Sequence, residues 1–234
     1  MRLTFLGMSS SGKSHWSRKL VEHGFIRFCC DDLIAKKLAT DLKKPDGTTM
    51  KLGEWMGFPY EPHYKNHEST YLTCETEVLR EIIEYLKSAK SHVEENIVVD
   101  TTGSVIYTGE EILAELRQYT TVVLMSTPPE VQKQMLKLYI HKQRPVLWRD
   151  MFNKKPDETN EEALARCYPG LLTSRECLYE KYADVVIDYY KRNDNDFGAT
   201  DLLHDITTCL SILIFSSNPS VRLSNPMKMP RTNI

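Results

Sequence analysis

Apolar residues along this chain follow two habits: short unbroken runs, and stripes spaced three and four residues apart. Five runs read as buried parallel strands, at residues 2–6, 26–30, 96–100, 121–126 and 184–188. The third, Asn96-Ile97-Val98-Val99-Asp100, and the fourth, Thr121 to Ser126, are short and β-branched, as strands covered on both faces tend to be. The stripes predict helices. Ser14–Glu22 sets Trp16 and Leu20 on one face. Glu75–Ala89 does the same for Val78, Ile82, Leu86 and Ala89, and Thr108–Tyr119 for Ile112, Leu113 and Leu116. Pro129–Ile140 opens on proline, which suits a first helical turn. Thr173–Tyr182 leads into the last strand. This alternation predicts an α/β fold, a five-stranded parallel sheet in a three-layer α/β/α arrangement, with ligands at the carboxyl ends of the strands.

Three stretches depart from the alternation. Residues 41–68 are rich in Gly, Pro, Tyr and His and hold Trp55, Phe58, Tyr60 and Tyr64. Residues 141–170 are basic and then polar, with Arg144, Arg149 and Arg166. Residues 216–234 show little apolar periodicity, and 211–234 are expected to form a disordered or loosely attached tail. The expected organisation is one domain over 1–210, with 41–68 covering an acceptor and 141–170 forming a lid, followed by the tail.

Gly7-Met8-Ser9-Ser10-Ser11-Gly12-Lys13-Ser14 fits GxxxxGK[ST], the phosphate-binding P-loop, and lies between a predicted strand and a predicted helix, where that motif belongs. A glycine-rich turn aims successive backbone N–H groups inward, and the helix start adds its positive dipole end. Gly7, Ser9, Ser10, Ser11, Gly12, Lys13, Ser14 and His15 are therefore candidate nucleotide-binding residues. Lys13 would bridge the β- and γ-phosphates of ATP, and the Ser14 hydroxyl would bind Mg²⁺.

The strand tips supply further candidates. Asp31 and Asp32 follow the second strand. Either could align Mg²⁺ or take the proton of an acceptor hydroxyl, and either could simply cap the next helix. Asp100 ends the third strand as a Walker-B acid would, and could hold the water shell of Mg²⁺. Thr101, Thr102 and Gly103 come next and could meet an acceptor. Arg144 precedes Pro145, which favours extended backbone; a mobile basic segment there could place a guanidinium on the transferring phosphoryl group, with a solvated loop as the alternative. Arg175 could bind an acidic acceptor bidentately, or pair at the surface with Glu176 or Glu180.

Composition narrows the field. Hydrophobic residues make up 41% of the 234, enough for a core, and the formal net charge of −2 argues against broad nucleic-acid binding. Six cysteines without a CxxC pair read as reduced thiols. His63 and His67 lack a third metal ligand. No charged leader or membrane-length apolar run is visible, so the cytoplasm is the expected compartment and no membrane association is expected. No obligate protein partner is evident.

Taken together, the P-loop, Asp31, Arg144-Pro145-Val146-Leu147, Arg175-Glu176-Cys177-Leu178-Tyr179 and Ala183 to Asp188 resemble shikimate kinase over residues 1–210. The resemblance implies a nucleoside-monophosphate-kinase-like fold and transfer of the ATP γ-phosphate to the hydroxyl of a small molecule. It further implies Lys13 and Ser14 on phosphate and Mg²⁺, Asp31 on the acceptor, Arg144 as lid arginine and Arg175 on the acceptor carboxylate. Three positions depart from the family pattern. Cys29 stands for an aspartate, Thr102-Gly103-Ser104 for a three-glycine run, and Leu72 for an acceptor-binding arginine. A kinase for a sugar acid, a nucleotide or a nucleic-acid end, and a nucleotide-binding regulatory ATPase, are the alternatives.

Overall fold

The computed structural model describes residues 1–88 and 95–217. Five parallel strands, β1 (Arg2–Leu6), β2 (Ile26–Cys29), β3 (Ile97–Asp100), β4 (Thr121–Met125) and β5 (Val185–Ile187), form one sheet in the order β2-β3-β1-β4-β5. All five coincide with the apolar runs of the sequence. Helices follow them: α1 (Lys13–Val21), α2 (Cys30–Lys37), α3 (Leu52–Met56), α4 (Tyr64–Ser88), α5 (Glu110–Tyr119), α6 (Pro129–His141), α7 (Asn160–Tyr182), α8 (Tyr189–Arg192) and α9 (Ala199–Ser217). The chain leaves β1 between β3 and β4, where the winding reverses. A crevice opens at such a point, at the carboxyl edge of the sheet. The register brings Phe5, Cys29 and Asp100 level at that edge.

Period-two alternation divides the strand side chains between two cores. Leu3, Phe5, Val98, Val123, Met125, Val185 and Ile187 meet Trp16 and Leu20 of α1 and Leu202 and Ile206 of α9. Leu6, Ile97, Val99, Val122 and Leu124 meet α2 and α4 to α7. Asp100 has the parity of Val98, so it faces α1. The last helix continues through 211–217, seven residues of the stretch expected to be a loose tail, because its inner stripe is anchored by buried Leu202 and Ile206. Residues 218–234 and Ala89 lie outside the described residues.

Other differences have identifiable causes. β2 ends at Cys29, and Cys30 already belongs to α2. Helix α4 begins well before Glu75. Its inner face runs Tyr64, Glu68, Tyr71, Glu75, Val78, and two buried glutamates disguise the stripe. Helix α7 takes in 160–170, part of the expected lid. Its start is a capping box in which Thr159 and Glu162 exchange hydrogen bonds, and Pro169 lies inside the helix.

In the middle of that segment lies a short strap sunk into the core: Val146, Leu147 and Trp148 are all buried. The Tyr64 hydroxyl accepts the Trp148 N–H at 2.7 Å and lies 2.8 Å from the Val146 carbonyl. The Arg149 N–H donates to Glu68 Oε1 at 2.7 Å, and Trp148 Nε1–H to the Tyr139 hydroxyl at 3.1 Å. On either side of these three residues the chain returns to the surface, with Arg144 before them and Arg149 to Met151 after them exposed.

Candidate active site

Between β1 and α1 the backbone turns back on itself, with Ser10 and Gly12 in the left-handed region at φ 70° and 96°. Gly12 is the N-cap of α1 and no side chain caps the helix, so its first N–H groups face the crevice. The Lys13 ammonium donates to the carbonyls of Gly7 and Met8 at 2.7 and 2.8 Å. Burial lowers its pKa to about 8, against the pull of the Asp100 and Asp31 carboxylates.

Two buried side-chain oxygens here have no hydrogen-bond partner among the described residues, Ser11 Oγ on the loop and Asp100 Oδ1 on the neighbouring strand. A buried polar atom is costly to leave unpaired, and the water shell of a cation beside a bound phosphate would satisfy Asp100 Oδ1. The donor set therefore fits ATP with Mg²⁺.

Far along the chain, Arg192 holds this loop in place. Its buried guanidinium donates to the carbonyls of Ser11 at 3.0 Å, Ser126 at 2.5 Å and Ile187 at 3.0 Å. Burial lowers its pKa to about 10. A three-carbonyl clamp of this kind suits the rigid fork of arginine. Nothing in local sequence pairs residue 192 with residue 11; only the sheet order does.

Asp100 is not the free strand-tip acid that the sequence suggests. Its Oδ2 accepts from Ser17 Oγ at 3.0 Å and from the Arg27 guanidinium at 2.5 Å. Arg27 also donates to Ser17 Oγ at 2.7 Å and stands 3.9 Å from Asp32. Sequence reasoning missed Arg27, although a lone arginine inside an apolar strand is a signal for a buried ionic partner. Only Oδ1 of Asp100 is left to face a metal's water shell.

Asp31 and Asp32 lie in the first turn of α2 and neither caps it, since the N-cap is Cys29. The Tyr71 hydroxyl donates to Asp31 Oδ1 at 3.1 Å. Burial raises the Asp31 pKa, while Tyr71 and the Lys13 charge work the other way. Cys29 cannot stand in for the aspartate of the family pattern, because burial pushes its thiol up to about 12 and keeps it neutral.

Thr102 turns away from the crevice. Its hydroxyl and that of Ser104, the latter at 2.6 Å, both donate to Glu75, a fully buried carboxylate that burial pushes up to about 7. Gly103 belongs to the same turn. A Cβ there would sit 3.0 Å from the Ser9 nitrogen and 3.3 Å from an Arg175 nitrogen, so a side chain at this turn would press on the phosphate loop. Its carbonyl accepts the Tyr179 hydroxyl at 2.5 Å.

Arg175 pairs with neither Glu176 nor Glu180. It is buried, donates to the Leu147 carbonyl at 2.6 Å, and lies over the Tyr107 ring at 5.4 Å. Leu72 packs against the core. The two positions that the resemblance links to an acceptor carboxylate thus form no open clamp.

Two large cavities remain. The smaller, about 490 Å³, is lined by the phosphate loop with Ser14, His15, Arg27, Cys29 and Thr101. The larger, about 1010 Å³, lies between α2, residues 42–54 and residues 141–145. Asp31, Asp32 and Arg144 line both and mark where they join. Neither Arg175, Thr102 nor Gly103 lines either one. No helix among the described residues is long and apolar enough to cross a membrane.

Comparison with known proteins agrees with this architecture. No curated protein matches the chain. Among solved structures, shikimate kinase from Acinetobacter baumannii in complex with shikimate is 23% identical at a TM-score of 0.56, covering 92% of this chain and 94% of that one. The Aquifex aeolicus shikimate kinase is 19% identical at a TM-score of 0.55, with 93% and 100% covered. The Bacteroides thetaiotaomicron shikimate kinase is 16% identical at 0.53, with 92% and 97% covered. These likenesses establish the fold. The shikimate kinase family model matches residues 61–207. On that match, which spans most of the chain, the protein belongs to the shikimate kinase family and is a small-molecule kinase.

Proposed function

We propose that the chain transfers the γ-phosphoryl group of ATP to a hydroxyl of a small acceptor in the presence of Mg²⁺. The observation that supports this most is the position of Asp31 and Arg144, which line both the phosphate-loop cavity and the larger space beside it. The backbone N–H groups from Ser9 to Ser14, other than that of Ser11, which donates to the Met8 carbonyl, would hold the phosphates, and Lys13 would exchange the Gly7 and Met8 carbonyls for them. Asp31 would orient the acceptor hydroxyl and take its proton. Arg144, exposed at the junction, would draw charge from the transferring group. Ser14 and Asp100 would hold hydrated Mg²⁺, which supplies charge neutralisation of the phosphates when bound.

The test is release of ADP by purified protein over a panel of hydroxyl acceptors that includes shikimate, with titration calorimetry of ATP alongside. ATP should bind with Mg²⁺, and Lys13→Ala should retain the fold while losing phosphoryl transfer. Absence of binding heat at millimolar ATP, or full turnover by the variant, overturns the reading.

A further inference from the structure

The larger cavity has a lining that suits one class of acceptor. Lys36, Lys43, Lys51 and Lys142 surround it, with Arg144 at its inner end. Neighbouring lysines behave differently. Lys37 pairs with Glu77 and Glu81, and Lys44 with Glu54, the one glutamate of the lining. The four lining lysines make no side-chain ion pair among the described residues. Asp31 and Asp32, the other carboxylates, stand at the phosphate-loop end. The cavity is therefore cationic away from the reacting end, where Asp31 and Asp32 stand with Arg144.

Its walls are built rather than accidental. Lys43 and Thr49 form a bridge, Lys44 N–H donates to the Thr48 carbonyl at 2.8 Å, and Met50 N–H to that of Leu42 at 2.7 Å. This hairpin carries Lys43 and Lys51 on its two arms. Gly53 then abuts the opposite wall, for a Cβ there would lie 2.1 Å from the Gln143 carbonyl oxygen. Ala35, Ala39, Leu42 and Leu52 supply an apolar floor. At about 1010 Å³ the space sits at the upper end of small-molecule pockets. Meanwhile Arg175, the residue available for a carboxylate, is closed off by the strap carbonyl of Leu147.

Resting on the kinase reading, we propose that the acceptor bears a phosphate group of its own, held by Lys36, Lys43, Lys51 and Lys142 while its free hydroxyl meets Asp31. The bond between the γ-phosphorus of ATP and its bridging oxygen breaks, and one from that phosphorus to the hydroxyl oxygen forms. The hydroxyl proton passes to Asp31, leaving ADP and a doubly phosphorylated product. Four ammonium groups attract a phosphate dianion, and the apolar floor takes the scaffold between phosphate and hydroxyl.

Matched pairs test this: ribose 5-phosphate against ribose, and adenosine 5′-monophosphate against adenosine, with shikimate as the carboxylate comparison. Turnover is read with ATP and Mg²⁺. Binding is read by calorimetry on protein saturated with a non-hydrolysable ATP analogue and Mg²⁺. The phosphorylated member of a pair should bind at least about tenfold more tightly, and Lys43→Gln/Lys142→Gln should erase that preference while the analogue still binds. Added salt should weaken it. Equal binding within both pairs, a preference unchanged in the double variant, or better turnover of shikimate than of either phosphate ester overturns the proposal. Failure of the analogue itself to bind overturns the kinase reading instead, and this proposal with it.

Discussion

Arg27 on β2 reaches across to Asp100 on β3, its guanidinium 2.5 Å from Oδ2, beside the phosphate cavity that Arg27 lines. The pair is mostly buried, with side-chain exposures of 16% and 2%. Removing one partner strands the other. Arg27→Met should cost about 3 kcal/mol of stability, because the Asp100 carboxylate then has only Ser17. Arg27→Met with Asp100→Asn should recover most of that loss. Urea denaturation of the two variants checks both statements; equal destabilisation by both would refute the ion-pair account.

Nucleotide binding should take up protons. In the free protein the Lys13 pKa is lowered to about 8 by burial, so near pH 8 the group is about half protonated. Phosphate oxygens favour the charged form and raise it. Calorimetry of ATP in buffers of different ionisation enthalpy should report uptake of about half a proton at that pH. Uptake should fade toward pH 6, where Lys13 is already charged, and vanish in Lys13→Met.

Glu75 sets a pH dependence of opposite use, on stability. Burial raises its pKa from 4.5 to about 7 in the fold. Between those values the folded chain holds the proton that the unfolded chain has lost. Stability from this group therefore falls as pH rises from 4.5 to about 7, and the full cost persists above. Its size is on the order of 3 kcal/mol. Glu75→Gln still offers an acceptor to Thr102 and Ser104 and should flatten the decline. Denaturation midpoints of both proteins on either side of that window decide it.

The strap depends on one phenol. Tyr64→Phe removes the acceptor of the Trp148 N–H and leaves that group buried and unpaired, at a cost of about 2 kcal/mol. Hydrogen exchange at residues 146–149 should accelerate in the variant while the β1 amides keep their protection. Unchanged exchange there would show that burial of Leu147 and Trp148 suffices without the hydrogen bond.

The sheet and the phosphate loop were legible in the sequence because both are local: an apolar run, a turn motif and a helical stripe each lie within a dozen residues. What was less legible came from charges inside the fold. Glu68 and Glu75 interrupt the inner face of α4, and Pro169 obscures α7, although Thr159 and Glu162 announce its start. The strap was disguised by the basic residues around it, yet Val146-Leu147-Trp148 is an apolar run that demands burial. Of the site residues, the loop and Asp31 reach the cavities as the motif requires, whereas Arg175 and Thr102 are drawn into interior hydrogen bonds by Leu147 and Glu75. Those partners come from other elements and become visible only once the elements are packed.

The arginine clamp on Ser11, Ser126 and Ile187 joins the first loop of the molecule to its last strand. A ribosome must therefore deliver nearly the whole domain before the earliest loop acquires this brace. A nascent chain halted before residue 192 has the glycines and the lysine but lacks this brace on the Ser11 carbonyl, so the loop is tied to the far edge of the sheet only late in synthesis.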